Sequence, residues 1–151
     1  MPVPSYLIDS NILVRWLQPR DADFPVIEAS LLYLIEQQAD LCYTSQNVAE
    51  FWNACTRPID RNGFGLTPEE ANRRASLFET RLRLLPDSPT LHWKWRRMLL
   101  DYRISGIQVH DTRLVAAMLV HGVRRILTLN AKDFLRFDQV QAVHPKDVRK
   151  S

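Results

Sequence analysis

SYLIDSNILVRWL, residues 5–17, decides the fold. The run from Ser5 to Ile8 is apolar and β-prone and stops at Asp9. From there Ile12-Leu13-Val14-Arg15-Trp16-Leu17 reads as helix, with Ser10 or Asn11 as its cap. A short buried strand that ends on a polar residue and passes straight into a helix is the opening unit of an α/β fold.

Working outward, Pro19 breaks that helix, and Pro25 sits where a first helical turn tolerates it. Val26, Ile27, Leu31, Leu34 and Ile35 then recur at helical spacing up to Gln38. Leu41-Cys42-Tyr43 is a second strand, closed by Thr44 and Ser45, one of which caps a helix from Gln46 to Thr56. Residues 57–66, RPIDRNGFGL, form the only long loop. Thr67-Pro68-Glu69-Glu70 restarts a helix, with Glu70 at the reciprocal capping-box position. Leu82 to Leu85 suggests a third strand, 90–103 a helix, and His110-Asp111 opens another that runs to a Gly122 cap. Residues 125–129 form a strand, 130–134 a turn or short helix, and 140–143 a last strand. The alternation predicts a single α/β domain over 1–151, with a mostly parallel sheet of four to five short strands and helices on both faces.

Length and composition narrow the function classes. A chain of 151 residues, 46% hydrophobic and 25% charged, buries roughly 70% of its unfolded surface and needs no staples. The longest apolar runs fall far short of a membrane span, so the expected setting is soluble and cytoplasmic. Cys42 and Cys55 stand apart from any CxxC pair and read as buried thiols. Four glycines leave no GxGxxG, GxxxxGK[ST] or GxSxG, which excludes the sequence-visible nucleotide-binding loops and the serine hydrolase elbow.

Acidic residues carry the chemistry that remains. In open parallel sheets, sites form outside the carboxyl ends of strands where strand order reverses. Asp9 follows the first strand, Asp111 opens a late helix, and Asp133 follows the strand near Leu129. Taken singly, each also suits a turn, a first-turn dipole or a cap. Glu50 is more telling, because it interrupts the apolar string Val48-Ala49-Glu50-Phe51-Trp52 with no Lys or Arg three or four residues away. Carboxylates that converge without basic partners repel one another, and a hard divalent cation resolves that repulsion. Mg²⁺ or Mn²⁺ is therefore expected.

Four strings, YLIDSNIL at 6–13, NVAEFWN at 47–53, HDTRLVAAM at 110–118 and ILTLNAKDF at 126–134, resemble the signature blocks of PIN-domain ribonucleases, especially the VapC-like toxins of toxin-antitoxin pairs. The resemblance runs through nearly the whole chain in the same order. It implies a PIN-like fold and metal-dependent hydrolysis of RNA phosphodiesters. Asp9, Glu50 and Asp111 then match the family's three most regular metal ligands, and Asp133 the fourth, more variable acid. Asn130 matches a polar residue near the metal's water shell, and Ser10 and Thr128 orient a carboxylate or phosphate. A homodimer restrained by a small VapB-like antitoxin is implied as well. The loop 57–66, with its NGFG, is longer than in the most compact relatives, which bears on dimer and antitoxin contacts.

The charge balance agrees with a polyanionic substrate. The net charge is +3; setting aside four of the 17 acidic residues leaves 13 against 20 basic ones, an excess of seven positive charges around an acidic pit. Arg15, Arg113 and Lys132, beside the acid-bearing strings, are candidates for the phosphate backbone. Trp95 and Arg96, within the interleaved Trp93-Lys94-Trp95-Arg96-Arg97, suit stacking on single-stranded RNA, although helix packing explains the tryptophans more simply. His110 suits a helix start better than a proton relay. A haloacid-dehalogenase-like phosphatase would need an acid two residues after Asp9, where Asn11 stands. The alternative from another class is a catalytically silent module that binds RNA or protein; clustered, mutually repelling carboxylates give such a module no benefit.

Overall fold

A computed structural model describes residues 3–150. Five parallel strands, β1 (Ser5–Ile8), β2 (Asp40–Tyr43), β3 (Arg83–Leu84), β4 (Arg125–Leu127) and β5 (Gln141–Val143), stand in the order β3-β2-β1-β4-β5. The chain steps from β1 outward to β2 and β3, then returns to the other side of β1 to lay down β4 and β5. Strand order therefore reverses between β1 and β4, and a crevice opens at their carboxyl ends.

The helices are α1 (Ser10–Trp16), α2 (Phe24–Glu36), α3 (Ser45–Thr56), α4 (Pro68–Glu79), α5 (Pro89–Asp101) and α6 (Gln108–His121). Strand side chains alternate between faces, and the sheet accordingly separates two cores. On one side Tyr6, Ile8, Leu41, Tyr43 and Leu127 pack against α1 to α4, through Ile12, Leu31, Phe51 and Phe78 among others. On the other, Leu7, Cys42 and Ile126 pack against α5 and α6 through Met98, Leu114, Val115 and Met118. Both cysteines are buried free thiols, and burial pushes their pKa values up.

Several boundaries differ from the sequence expectation for local reasons. The cap of α1 is Asp9, one residue ahead of Ser10 or Asn11: its backbone is extended and its carboxylate accepts from Ser10 N at 2.7 Å. Thr67 caps α4 as expected, but the Glu70 carboxylate turns away to Arg73 and Arg74. Helix α6 begins two residues before His110, at Gln108. Residues 57–66 are not an open loop; they contain a 3-10 turn, Ile59–Arg61, closed by Asn62 at φ 66°. Strand β3 is only two residues long, because its neighbours Leu82 and Leu85 turn into the cores. A further 3-10 turn, Pro145–Lys150, packs against α2.

Phe78 anchors the larger core, with its ring edge-on to Phe51 at 5.0 Å and to Tyr43 at 5.6 Å. Phe78→Ala is expected to destabilise the protein by about 3–5 kcal/mol, measured by denaturant unfolding. A loss under about 1 kcal/mol would contradict this packing.

Candidate active site

Asp9 stands where β1 gives way to α1, at the reversal of strand order. One carboxylate oxygen accepts from Ser10 N at 2.7 Å and the other from the Thr128 hydroxyl at 2.8 Å. Thr128 lies immediately after β4, and Asp9 N donates to Leu127 O at 3.0 Å. Both central strands thus clamp one carboxylate that is only 7% exposed.

Glu50 is brought to the same place by α3. The Ser10 hydroxyl donates to Glu50 Oε1 at 2.6 Å and itself accepts from Asn47 Nδ2 at 3.0 Å. Asn47 is fully buried and is fixed by Thr44, whose backbone N–H and hydroxyl both donate to Asn47 Oδ1 at 2.8 and 2.9 Å. The cap of α3 is thereby also the brace of Ser10. Gln46 completes the arrangement: its Nε2 donates to Glu50 Oε2 at 3.3 Å and to the carbonyl of His110 at 2.8 Å, which ties α3 to the first turn of α6 beside Asp111.

The four acids act on one another. Burial raises Asp9 from its ordinary 3.8 to about 7; the bonds from Thr128 and Ser10 oppose the rise, and the charges of Asp111 and Glu50 add to it. Burial likewise raises half-buried Asp111 to about 6, reinforced by Asp133 and Glu50. Among the described residues none of the four takes part in an ion pair. Asp133 stands exposed on the 3-10 turn Ala131–Phe134, its N–H donating to Asn130 O at 3.0 Å. Asn130 is exposed too, and its own N–H donates to the Thr128 hydroxyl at 3.0 Å.

The donor set suits a hard cation, since every charged group is a carboxylate, and Asp9 and Glu50 are held by neutral hydroxyls and amides that leave their charge intact. Among the described residues, no three His, Cys, Asp or Glu side chains already stand close enough to hold an ion between them. The acids therefore fit an ion that keeps much of its water and takes one or two direct carboxylate contacts, the habit of Mg²⁺.

The basic and aromatic candidates divide. Arg113 is committed: it donates to Gln46 Oε1 at 3.2 Å, pairs with Asp87 at 3.3 Å and lies over the Trp95 ring at 6.0 Å. Trp95 donates its indole N–H to Val109 O at 3.0 Å, so packing between α5 and α6 accounts for it. Arg15 donates to Asn11 O and faces Asp21 and Asp23 at 3.7 and 3.9 Å. Arg96 and Lys132 are exposed. The sequence offers Thr44 only as a helix cap, and Gln46 and Asn47 only as non-basic neighbours of Glu50; the structure adds all three to the site.

Comparison with known proteins gives a consistent picture. A PIN domain family model matches residues 6–140. No curated protein matches the sequence. Among solved structures, VapBC2 of Rickettsia felis, determined with a promoter DNA fragment, is 17% identical with a TM-score of 0.65, covering 93% of this chain and 98% of that one. DNA-bound VapBC of Salmonella typhimurium is 15% identical at a TM-score of 0.64, covering 95% and 99%. VapC20 of Mycobacterium tuberculosis, a toxin that cleaves the sarcin-ricin loop, is 11% identical at 0.65, covering 87% and 95%.

Two outcomes test this geometry. The folded-state pKa values of Asp9 and Asp111 lie above the unfolded value, so folding takes up protons. Metal-free stability is then greatest below about pH 4 for these groups and falls until the pH passes about 7. Asp9→Asn removes that penalty while keeping a capping side chain, and should raise the melting temperature of metal-free protein at pH 8 by roughly 2–8 °C; an equal or lower value would rule out a shared acidic pit. Gln46→Ala, which frees Glu50 from α6, should weaken Mg²⁺ binding by calorimetry about tenfold or more, with Gln46→Glu failing to restore it.

Proposed function

The chain belongs to the PIN domain family, and from that premise we propose that it is a metal-dependent ribonuclease, the toxin of a toxin-antitoxin pair. The observation that carries this is the cluster itself: Asp9 and Glu50 joined through Ser10, the charge of Asp111 acting on Asp9 and that of Asp133 on Asp111, and no cation of the described residues paired to any of the four. One or two of Asp9, Glu50 and Asp111 would hold Mg²⁺ or Mn²⁺ directly and the others through its water, with Asp133 at the exposed rim. A bound divalent ion supplies an acidified water and neutralises charge on the scissile phosphate.

The rest follows from the chain's own residues. Thr128 and Ser10 N fix both Asp9 oxygens, so this carboxylate presents one orientation to the crevice. Ser10 and Gln46 fix Glu50 in the same way. Preorganised carboxylates of this kind lose little entropy when a ligand arrives. Asp111, at the first turn of α6, faces both Glu50 and Asp133 electrostatically. The two hydroxyls at the acids serve as braces: Ser10 donates to Glu50 and accepts from Asn47, and Thr128 donates to Asp9 and accepts from Asn130 N. Water is the attacking group in this scheme.

The R. felis and S. typhimurium relatives are complexes in which such a toxin is paired with its antitoxin. By extension this chain is held inactive by a small VapB-like protein and forms a homodimer. An acidic pit without internal cations would accept an arginine or lysine from that partner, as it would accept a metal. A catalytically silent binding module is the competing assignment, and it would have no need for Asp9 at the crevice.

Asp111→Asn should lower Mg²⁺-dependent cleavage of single-stranded RNA by at least about a hundredfold, with an unchanged circular dichroism spectrum. The wild type should lose its activity in EDTA and regain it with Mg²⁺ or Mn²⁺. Undiminished cleavage by the variant would overturn the assignment.

A further inference from the structure

A groove of about 490 Å³ runs away from the acids between α1, α3 and residues 57–66, beginning at Ser10 and Glu50 and ending at Arg57 and Phe64. Its outer wall is built rather than loose. Arg57 donates from Nε and Nη2 to Asn62 O at 3.2 and 3.0 Å. Gly65 N donates to Arg57 O at 3.0 Å, Phe64 N to Ala54 O at 3.1 Å and Leu66 N to Cys55 O at 2.8 Å. Gly63 lies so near that a Cβ there would fall 2.1 Å from Arg57 O, so this closure admits only glycine.

The floor has an order. Glu50, Asn53 and Arg57 follow one another at i, i+3 and i+7 and share one face of α3. Asn53 and Arg57 lie about 4.5 and 10.5 Å beyond Glu50 along the axis. Moving outward, the groove therefore offers a carboxylate, an amide and a guanidinium. The Asn53 side chain is exposed and makes no hydrogen bond among the described residues, and Arg57 has no ion pair among them. Asn11, on the facing helix, is engaged by Leu129 N and Thr128; the side-chain amides of Asn53 and Asn62 make no hydrogen bond among the described residues, and of the two Asn53 stands on the same helix as Glu50.

We propose that this groove binds the nucleotide adjacent to the scissile phosphate of a single-stranded RNA, with Asn53 reading the base edge and Arg57 meeting the next phosphate. This rests on the nuclease assignment above. A polymer whose phosphate is cut at the acids must continue across neighbouring surface, and this groove starts at Glu50. A free amide offers one donor and one acceptor, the pairing that distinguishes exposed base edges, and a guanidinium beyond it answers a phosphate. A peptide would look for apolar anchors in the floor. Here Ile59 and Phe64 belong to the wall, with Ile59 78% exposed, while Val14 is buried and Ala54 offers a single methyl, so neither makes such an anchor. Residues 57–66 are thus a specificity element.

The test uses the full chain and fluorescein-labelled RNA hexamers that differ at one nucleotide. Binding is measured by anisotropy in the Asp111→Asn background, and cleavage ends are mapped with Asp111 intact. Without the Asn53 change, affinity is expected to vary tenfold or more with the base at one position beside the cut. Asn53→Ala should compress that range below about threefold and shift the mapped ends, with an unchanged melting temperature; Asn53→Gln should recover part of it. Preference left intact by Asn53→Ala, equal weakening for every sequence, or no RNA binding while a partner protein alone protects residues 57–66 from exchange would each overturn the proposal. If the hexamers bind with the expected preference but none is cut, the nuclease assignment fails and the groove stands; if cutting occurs with a preference indifferent to Asn53, the groove fails and the nuclease assignment stands.

Discussion

Everything in the crevice depends on one buried carboxylate being held by two strands at once. Asp9 receives Ser10 N from the start of α1 and the Thr128 hydroxyl from the end of β4. Those two bonds pull its proton affinity down, yet burial outweighs them and leaves it near 7. Two neutral hydrogen bonds orient a carboxylate without cancelling its charge, and the desolvation that remains is a standing demand for a positive ligand. The fold can satisfy that demand only where β1 and β4 end together, because only there does the reversed strand order leave the carboxyl ends uncovered.

The same logic governs the shell around it. Ser10, Thr44, Asn47 and Gln46 brace Glu50 with hydroxyls and amides, while the guanidinium groups nearby are drawn to other acids: Arg113 to Asp87, Arg15 to Asp21 and Asp23. Had Arg113 reached Glu50 directly, that carboxylate's charge would have been balanced from within. Gln46 stands between them, accepting from Arg113 and donating to Glu50. One neutral side chain thus relays position from α6 to α3 while insulating a carboxylate from a cation.

How much of this could be read in the residues follows from the range of the interactions. The first strand and helix, the Thr67 cap and the Gly122 stop rest on contacts within a few residues, and those appeared where local chemistry placed them. Glu50 was legible because an acid inside an apolar helical string is costly without a distant partner. The partners themselves were not. Asn47 finds Ser10 across 37 positions and Gln46 finds His110 across 64, and no spacing rule spans such separations. Arg113 sits beside Asp111 in sequence, which suggested a phosphate contact, but its planar fork is occupied by Asp87 and Gln46 and its face by Trp95. Asp9 is the cap in place of Ser10 because one of its oxygens can accept from Ser10 N while the other is held by Thr128, whereas the Ser10 hydroxyl is committed to Glu50.

Attraction and placement of a polyanion are consequently separate tasks in this molecule. The excess of basic over non-pit acidic residues acts over about a Debye length and fades with salt. It needs no particular geometry. Placement needs side chains that are not already engaged, and among the described residues Arg73, Arg74, Arg83 and Arg97 are taken by acids on their own or a neighbouring element. Asp9, Glu50, Asp111 and Asp133 are in the reverse situation, with no ion pair among the described residues. On the proposed reading, a diffuse positive surface around a compact negative centre would draw phosphates inward but would not hold them at the acids unaided. On that same reading a divalent ion would offset much of the charge at that centre and lower the repulsion between the acids and a phosphodiester.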